Sequence, residues 1–173
     1  LTVPNSRVDP EYAYNFSFGI GKKIDFKNIQ FSFSSSSFVT ILDNVITKKS
    51  LDINGSNFIY YDSNYYAILA NQNSESGIVY GLSGSLFITF FKNLKVHSSL
   101  CYTRGVLKNT HIPMSHIPPL FGKLNLNYTF KKIEFQILNN FNAEKINKLF
   151  GQGNTDNPLE ASPMGYPSWW VIN

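Results

Sequence analysis

The sequence holds a single cysteine, Cys101, in 173 residues. One thiol closes no internal disulfide and supplies no zinc-ligand spacing, so Cys101 reads as a small strand residue. Charge is scarce too: Asp, Glu, Lys and Arg make up 15% of the chain, against roughly 25% in soluble domains. The net charge of +4 is not clustered with aromatics on one element, and the lysines fall mostly in predicted turns, so nucleic acid is not an expected partner. No apolar run approaches the roughly 18 residues of a transmembrane helix, and no signal peptide opens the chain. Leu1 and the strand-like run ending at Asn173 read as the ends of a fragment of a longer protein. Only three histidines occur, His97, His111 and His116, and no nucleophile–histidine–carboxylate set surrounds them. No enzymatic activity and no cofactor are expected.

What the chain does have is apolar bulk. Hydrophobic residues reach 43% and aromatics 16%, with 15 Phe and 10 Tyr. They recur at every second position, the mark of strands with one apolar and one polar face. Tyr12, Tyr14, Phe16, Phe18 and Ile20 form a first strand, followed by a polar turn over Gly21–Asn28. Ile29, Phe31 and Phe33 open a second, which passes through Ser34–Ser37 to Leu42. The serine run is flanked by strand and reads as a small-residue lumen or interface patch rather than a linker. Tyr80–Phe90 and Leu94–Thr103 give a third and fourth strand. Leu124–Phe130 and Ile133–Leu138 give a fifth and sixth around Lys131-Lys132, and Ser168–Asn173 begins a seventh.

The connections alternate between short and long. Asp43–Gly77 reads as irregular, with a small hairpin of Phe58–Tyr61 against Tyr65–Ala70. A second long loop runs from about Arg104 to Gly122. A third runs from Asn142 to Pro167, broken by Gly151, Gly153, Pro158, Pro163 and Gly165. Alternating loops and two-faced strands are what an antiparallel transmembrane β-barrel needs, because only a closed sheet satisfies its backbone in lipid. A soluble sandwich or lipocalin-like barrel, with the apolar face inward, remains the alternative. Low charge and Tyr-rich loops on one side favour the membrane, with short turns periplasmic and long loops extracellular.

Several segments carry a family likeness. Ser115-His116-Ile117-Pro118-Pro119-Leu120-Phe121-Gly122, followed by Lys123, resembles the I-P-P-x-x-G-R/K segment of TonB-dependent outer-membrane receptors, which leads from an extracellular loop into a late barrel strand. Pro4–Glu11 resembles the family's P-N-P-x-L-x-P-E motif. Val79-Tyr80-Gly81 is similar to a strand entry, Tyr102-Thr103-Arg104-Gly105 to a strand exit, and Pro163–Trp170 to a P-x-G-T-P-S-W entry. The matches run in family order. Departures at Ser6, Val8, Leu82 and Ser83 leave the ligand class open. The resemblance implies that residues 1–173 are part of the barrel domain, about seven strands of roughly 22, without the plug and the remaining strands. It implies the outer membrane of a Gram-negative bacterium, with lipid, the protein's own N-terminal plug and TonB as partners. The ligand would be a scarce nutrient: an iron–siderophore, haem or cobalamin. A passive channel, an outer-membrane enzyme barrel or a soluble β-sheet binding domain are the other readings.

Candidate ligand contacts follow from chemistry. His111 and His116 share one predicted extracellular loop, and an imidazole can hold haem iron. Tyr65 and Tyr66, with Tyr60 and Tyr61, form a possible aromatic platform; loop packing or a membrane-interface girdle would explain them equally. Arg104 could hold an anionic ligand or a lipid headgroup. Tyr12, Tyr14, Trp169 and Trp170 suit an interface belt. His97, Asn125, Asn127, Glu134, Gln136 and Asn140 are expected to face the lumen.

Overall fold

A computed structural model describes residues 1–151 and 156–173; the predicted breaker Gly153 lies outside the described residues. One sheet dominates. Its strands are β1 (Tyr12–Asp25), β2 (Ile29–Asp43), β3 (Gly77–Phe90), β4 (Leu94–Leu107), β5 (Phe121–Phe130), β6 (Ile133–Asn142) and β7 (Trp169–Ile172). Each pairs antiparallel with its neighbours in sequence, from β1 at one edge to β7 at the other. The sheet is therefore an up-and-down meander, all-β and open at both edges. Among the described residues no helix is long and apolar enough to cross a membrane.

Register fixes the two faces. Residues directly opposite one another in antiparallel strands point to the same side. One row runs Ile24, Phe31, Ile88, Val96, Leu126, Ile137 across six strands, every member apolar. The adjacent row runs Asp25, Gln30, Thr89, Lys95, Asn127, Gln136, every member polar and on the opposite face. Leu124, Leu126, Tyr128, Phe130, Ile133, Phe135 and Ile137 share the apolar face, as their spacing predicts, and His97 and Asn125 share the polar one. The apolar face has no second layer over it: Tyr12, Tyr14, Phe16, Phe18 and Ile20 are each at least 54% exposed. A soluble sandwich would have to cover these rings. Strands β1 to β4 have 14 or 15 residues and β5 and β6 have 10, enough for the roughly 9–11 that cross a bilayer at a tilt. The fold is an open antiparallel meander with the strand lengths and two-faced pattern of a transmembrane β-barrel wall.

The polar face thins in the middle. Gly19, Gly21, Ser34, Ser36, Ser83, Ser85, Ser99 and Cys101 fall in two adjacent rows over four strands. They line an open trough of about 580 Å³. Ser34 Oγ lies 2.8 Å from Ser85 Oγ, and Ser36 Oγ 2.8 Å from Ser83 Oγ. The serine run is thus strand, not linker. Two glycines are required by close approach. A Cβ on Gly81 would lie 2.4 Å from the Phe38 ring, and one on Gly122 would lie 2.7 Å from the Phe141 ring and 2.5 Å from Ser99 O.

The short connections are 26–28, 91–93 and 131–132; the long ones are 44–76, 108–120 and 143–168. Several boundaries differ from expectation. The strand of Tyr12–Ile20 continues through Gly21 to Asp25, because Lys22, Lys23 and Ile24 still pair with Phe33, Ser32 and Phe31. Arg104 is not in a loop: β4 runs on to Leu107 against Gly77, and β5 begins at Phe121. Residues 44–76 are not irregular throughout. Leu69–Asn73 pairs antiparallel with Ile46–Ser50 and parallel with Thr2–Val3. The small hairpin exists, but its second strand is Asn64–Ala67, because Leu69 and Ala70 are claimed by that three-stranded sheet. Polar-looking stretches with weak alternation hide such edge pairings from a periodicity reading.

The face assignment has a measurable consequence. Leu100, on the apolar face midway along β4, is 47% exposed, and its neighbour Ser99 points to the other face. Leu100→Arg is expected to lower stability in lipid vesicles by about 2–4 kcal/mol, and Ser99→Arg by much less. Reversible denaturant unfolding measures both; equal penalties would mean that the faces are misassigned.

Candidate functional site

The three long loops meet at one end of the sheet, and the loop 108–120 forms the centre of the cluster. Instead of standing out into solvent, it folds back over the polar face of β4. Met114 N–H donates to Gly105 O at 2.9 Å and Leu107 N–H to Ile112 O at 2.9 Å, while Pro113 bridges Val106. Glycine at 105 permits this: an added Cβ would lie 3.1 Å from Ile117 and 3.2 Å from Met114. Gly77, opposite Leu107, similarly leaves room for the Met114 sulfur and Val45. The Ser115–Gly122 segment then descends into β5, as its likeness predicts.

Two carboxylates clasp this loop to its neighbours. Glu75, in the connection 74–76, accepts hydrogen bonds from the Asn109 and Thr110 backbone N–H groups and from the Thr110 hydroxyl. The Thr110 hydroxyl, then the two amides and the Lys49 charge, hold the Glu75 carboxyl below its ordinary range, against partial desolvation. Asp156 sits on the other side with its side chain 5% exposed. Its Oδ1 accepts from His116 N–H at 2.9 Å and from Lys145 Nζ at 2.9 Å, and its Oδ2 accepts from Gly151 N–H at 2.7 Å. Burial pushes this carboxyl up, but the Gly151 and His116 amides and Lys145 outweigh it and hold it below its ordinary range. Tyr166 donates its hydroxyl to Asn157 O at 2.9 Å and stacks on Phe150, whose ring lies 5.7 Å from Lys145 Nζ. Loop 108–120 is thus joined to loop 143–168 through the His116 amide on Asp156, whose carboxylate also closes a buried ion pair with Lys145 within its own loop.

Between this unit and the small sheet of loop 44–76 lies a cavity of about 390 Å³. Val45, Thr47, Lys48, Asn71, Met114 and His116 are among the residues that line it. Thr47 Oγ1 is buried beside it without a hydrogen-bond partner. The cavity therefore combines an amine, an amide, a thioether and an imidazole on an apolar floor. Among the described residues no group of three or more His, Cys, Asp or Glu gathers as a metal site.

The predicted contacts separate into three places. His116 lines the cavity, with φ +61° and its N–H held by Asp156. His111 is exposed at φ +55°, next to the Thr110 that Glu75 holds. Tyr65 and Tyr66 stand on the hairpin, 76% and 42% exposed; the Tyr65 ring packs 5.0 Å from that of Tyr60. This hairpin rests on the small sheet through Ile68 N–H to Asn57 O and Leu51 N–H to Ile68 O. Arg104 pairs with Tyr80 on the apolar face, away from the face over which Met114 folds. Sequence reading missed Glu75, Met114, Lys145 and Asp156. Loop acids carry no periodicity, and Asp156 reaches His116 only when two loops meet.

No protein-family model matches the chain, and no curated protein matches it. Among solved structures, the chain is similar to the copper transporter OprC, with a TM-score of 0.67 and 16% identity over 96% of this chain. The chain spans 23% of the length of that protein. At this identity the likeness concerns the fold, and it agrees with the barrel wall described above.

The Asp156 clasp predicts a pH response. A carboxylate whose folded value is depressed stabilises the fold above its unfolded value, and that stability is lost as pH falls through the folded value. Loops 108–120 and 143–168 should therefore stay joined at neutral pH and separate only below the ordinary carboxylate range. Asp156→Ala should loosen them at neutral pH, at a cost of about 3 kcal/mol, because Lys145 is left buried and unpaired. Hydrogen exchange at Gly151 and His116 reports both; unchanged protection in the variant would rule out the clasp.

Proposed function

We propose that this chain is part of the wall of a TonB-dependent receptor in the outer membrane of a Gram-negative bacterium. In this reading the whole protein binds a scarce nutrient at its extracellular loops. It then passes the nutrient through a lumen closed by its own plug domain, with energy relayed by TonB. The observation that carries the reading is the path of Ser115–Gly122. This I-P-P segment leaves a loop that is folded over the polar face and enters a strand of a two-faced meander, the position that the family resemblance implies. The other likenesses fall on the same sheet in order, and the fold likeness to a transporter barrel supports it.

Two substrate classes are open to test. The resemblance points to an iron–siderophore, haem or cobalamin, with Tyr65, Tyr66 and His111 offering aromatic and imidazole contacts above the cavity unit and Arg104 a headgroup contact. The second reading is copper, the cargo named for the similar transporter. It is favoured by Met114 and His116 lining one cavity, since a thioether with an imidazole suits Cu(I). Cells expressing the protein should accumulate the correct nutrient only when TonB is present. If copper is the cargo, Met114→Ala with His116→Ala lowers copper accumulation and leaves siderophore-bound iron unchanged; the converse favours the first class. Accumulation that persists without TonB points to a passive channel.

Orientation is tested separately. In a Cys101→Ser background, single cysteines at Leu159, which is 93% exposed, and at Tyr65 should react with a membrane-impermeant maleimide on intact cells. Cysteines at Lys92 and Lys131 should react only after the outer membrane is opened. The opposite pattern inverts the topology.

A further inference from the structure

The three short turns repeat one sequence: Phe26-Lys27-Asn28-Ile29, Phe91-Lys92-Asn93-Leu94 and Phe130-Lys131-Lys132-Ile133. Turn geometry does not explain the repeat. Phe91, Lys92 and Lys131 have φ of +46°, +66° and +55°, whereas Phe26 and Lys27 have no positive φ. A left-handed turn selects Gly, Asn or Asp, and a bulky residue there is strained. The fold would accept small residues at these tips, yet it carries Phe and Lys at all three.

The rings are not used for packing. Phe26, Phe91 and Phe130 are 63%, 67% and 50% exposed, and Lys131 Nζ lies 5.4 Å over the Phe130 ring. Phe91 N–H donates to Asn28 O and Thr129 N–H to Asn93 O, each at 2.8 Å, so the turns form one continuous rim. Charge gathers on it. Within four residues of these turns lie seven lysines, Lys22, Lys23, Lys27, Lys92, Lys95, Lys131 and Lys132, against Asp25 and Glu134 alone. This end therefore carries +5 while the whole chain carries +4, so everything else is net −1. Among the described residues only Lys23 of the seven is in an ion pair, with Asp25 at 3.7 Å.

We propose that this rim is a docking surface for anionic phospholipid headgroups of the periplasmic leaflet. The apolar face ends in the exposed rings of Phe26, opposite Ile29, and Phe130, opposite Ile133, while Phe91 borders a cavity with Thr89 and Lys95 of the polar face, so the rim stands where acyl chains give way to headgroups. There an aromatic ring sits half in the apolar phase and a lysine extends its ammonium to the phosphate level. Unpaired lysines beside a negatively charged surface are attracted to it within a Debye length. Charge complementarity selects an anionic lipid, and continuity with the apolar face selects a membrane over a soluble phosphate.

The proposal rests on the membrane placement above, but its test does not depend on which way the barrel faces. The intact protein in neutral detergent is titrated with phosphatidylglycerol and, separately, with phosphatidylethanolamine, and bound lipids are counted by native mass spectrometry. Wild-type protein should prefer phosphatidylglycerol, and the preference should fall as salt rises. Replacing Lys27, Lys92, Lys131 and Lys132 by Gln should remove the preference by about fivefold per lysine, while Lys48→Gln with Lys108→Gln at the loop end leaves it intact. Phe26→Ser with Phe130→Ser should weaken both lipids and keep their ratio. Equal binding of the two lipids by the wild type, or a preference that survives the four substitutions, overturns the proposal. So does displacement of phosphatidylglycerol by glycerol phosphate, which carries the charge without the acyl chains. Inverted labelling of Lys92 and Lys131 would refute the leaflet assignment without affecting these counts.

Discussion

The structure depends on register. With a side-chain period of two, a one-residue slip between any two strands would exchange the faces from that seam onward. Ile88 would then meet the polar row and Thr89 the apolar one. The ladder from β1 to β6 keeps every pair in phase, and close-approach glycines reinforce it. The Phe38 ring fits only where Gly81 lies opposite, and the Phe141 ring only where Gly122 does. Lipid raises the stakes, because a backbone group left unpaired there finds no water to replace its partner.

The loop end depends on a different kind of contact. There the apolar face no longer dictates position, and hydrogen-bonded carboxylates take over. Glu75 and Asp156 hold the two ends of loop 108–120 through backbone amides as well as side chains. Amide donors fix the chain path, not just a side-chain position, so the I-P-P segment enters β5 from a set direction. The cavity beside Met114 and His116 is shaped by that path and not by any residue acting alone.

Period-two spacing made six of the seven main strands, both faces and all three short turns legible in the sequence. The family-like segment made the strand entry at Phe121 legible as well. Strand ends were less visible. Lys22 and Lys23 looked like a turn, although a lysine on an edge strand costs little when its stem lies along the sheet. Arg104 looked like a loop residue for the same reason. The pairing of Ile46–Ser50 with Leu69–Asn73 and Thr2–Val3 joins segments far apart in sequence with little alternation, so no local signal announces it. Of the site, the histidines and tyrosines were visible as residue types. The cavity was not, because Met114 and Asp156 gain their roles only from tertiary contact.

The serine pairs across β2 and β3 have one more implication. Ser34 with Ser85 and Ser36 with Ser83 are hydroxyl-to-hydroxyl bonds in which either oxygen can donate. Reversing the protons leaves each pair satisfied and turns its dipole around. At these pairs the polar face can therefore present a donor or an acceptor to whatever lies against it. Such a surface can meet either kind of partner without giving up its own cross-strand hydrogen bonds, so these two pairs hold the sheet together without committing its polar face to one hydrogen-bonding sense.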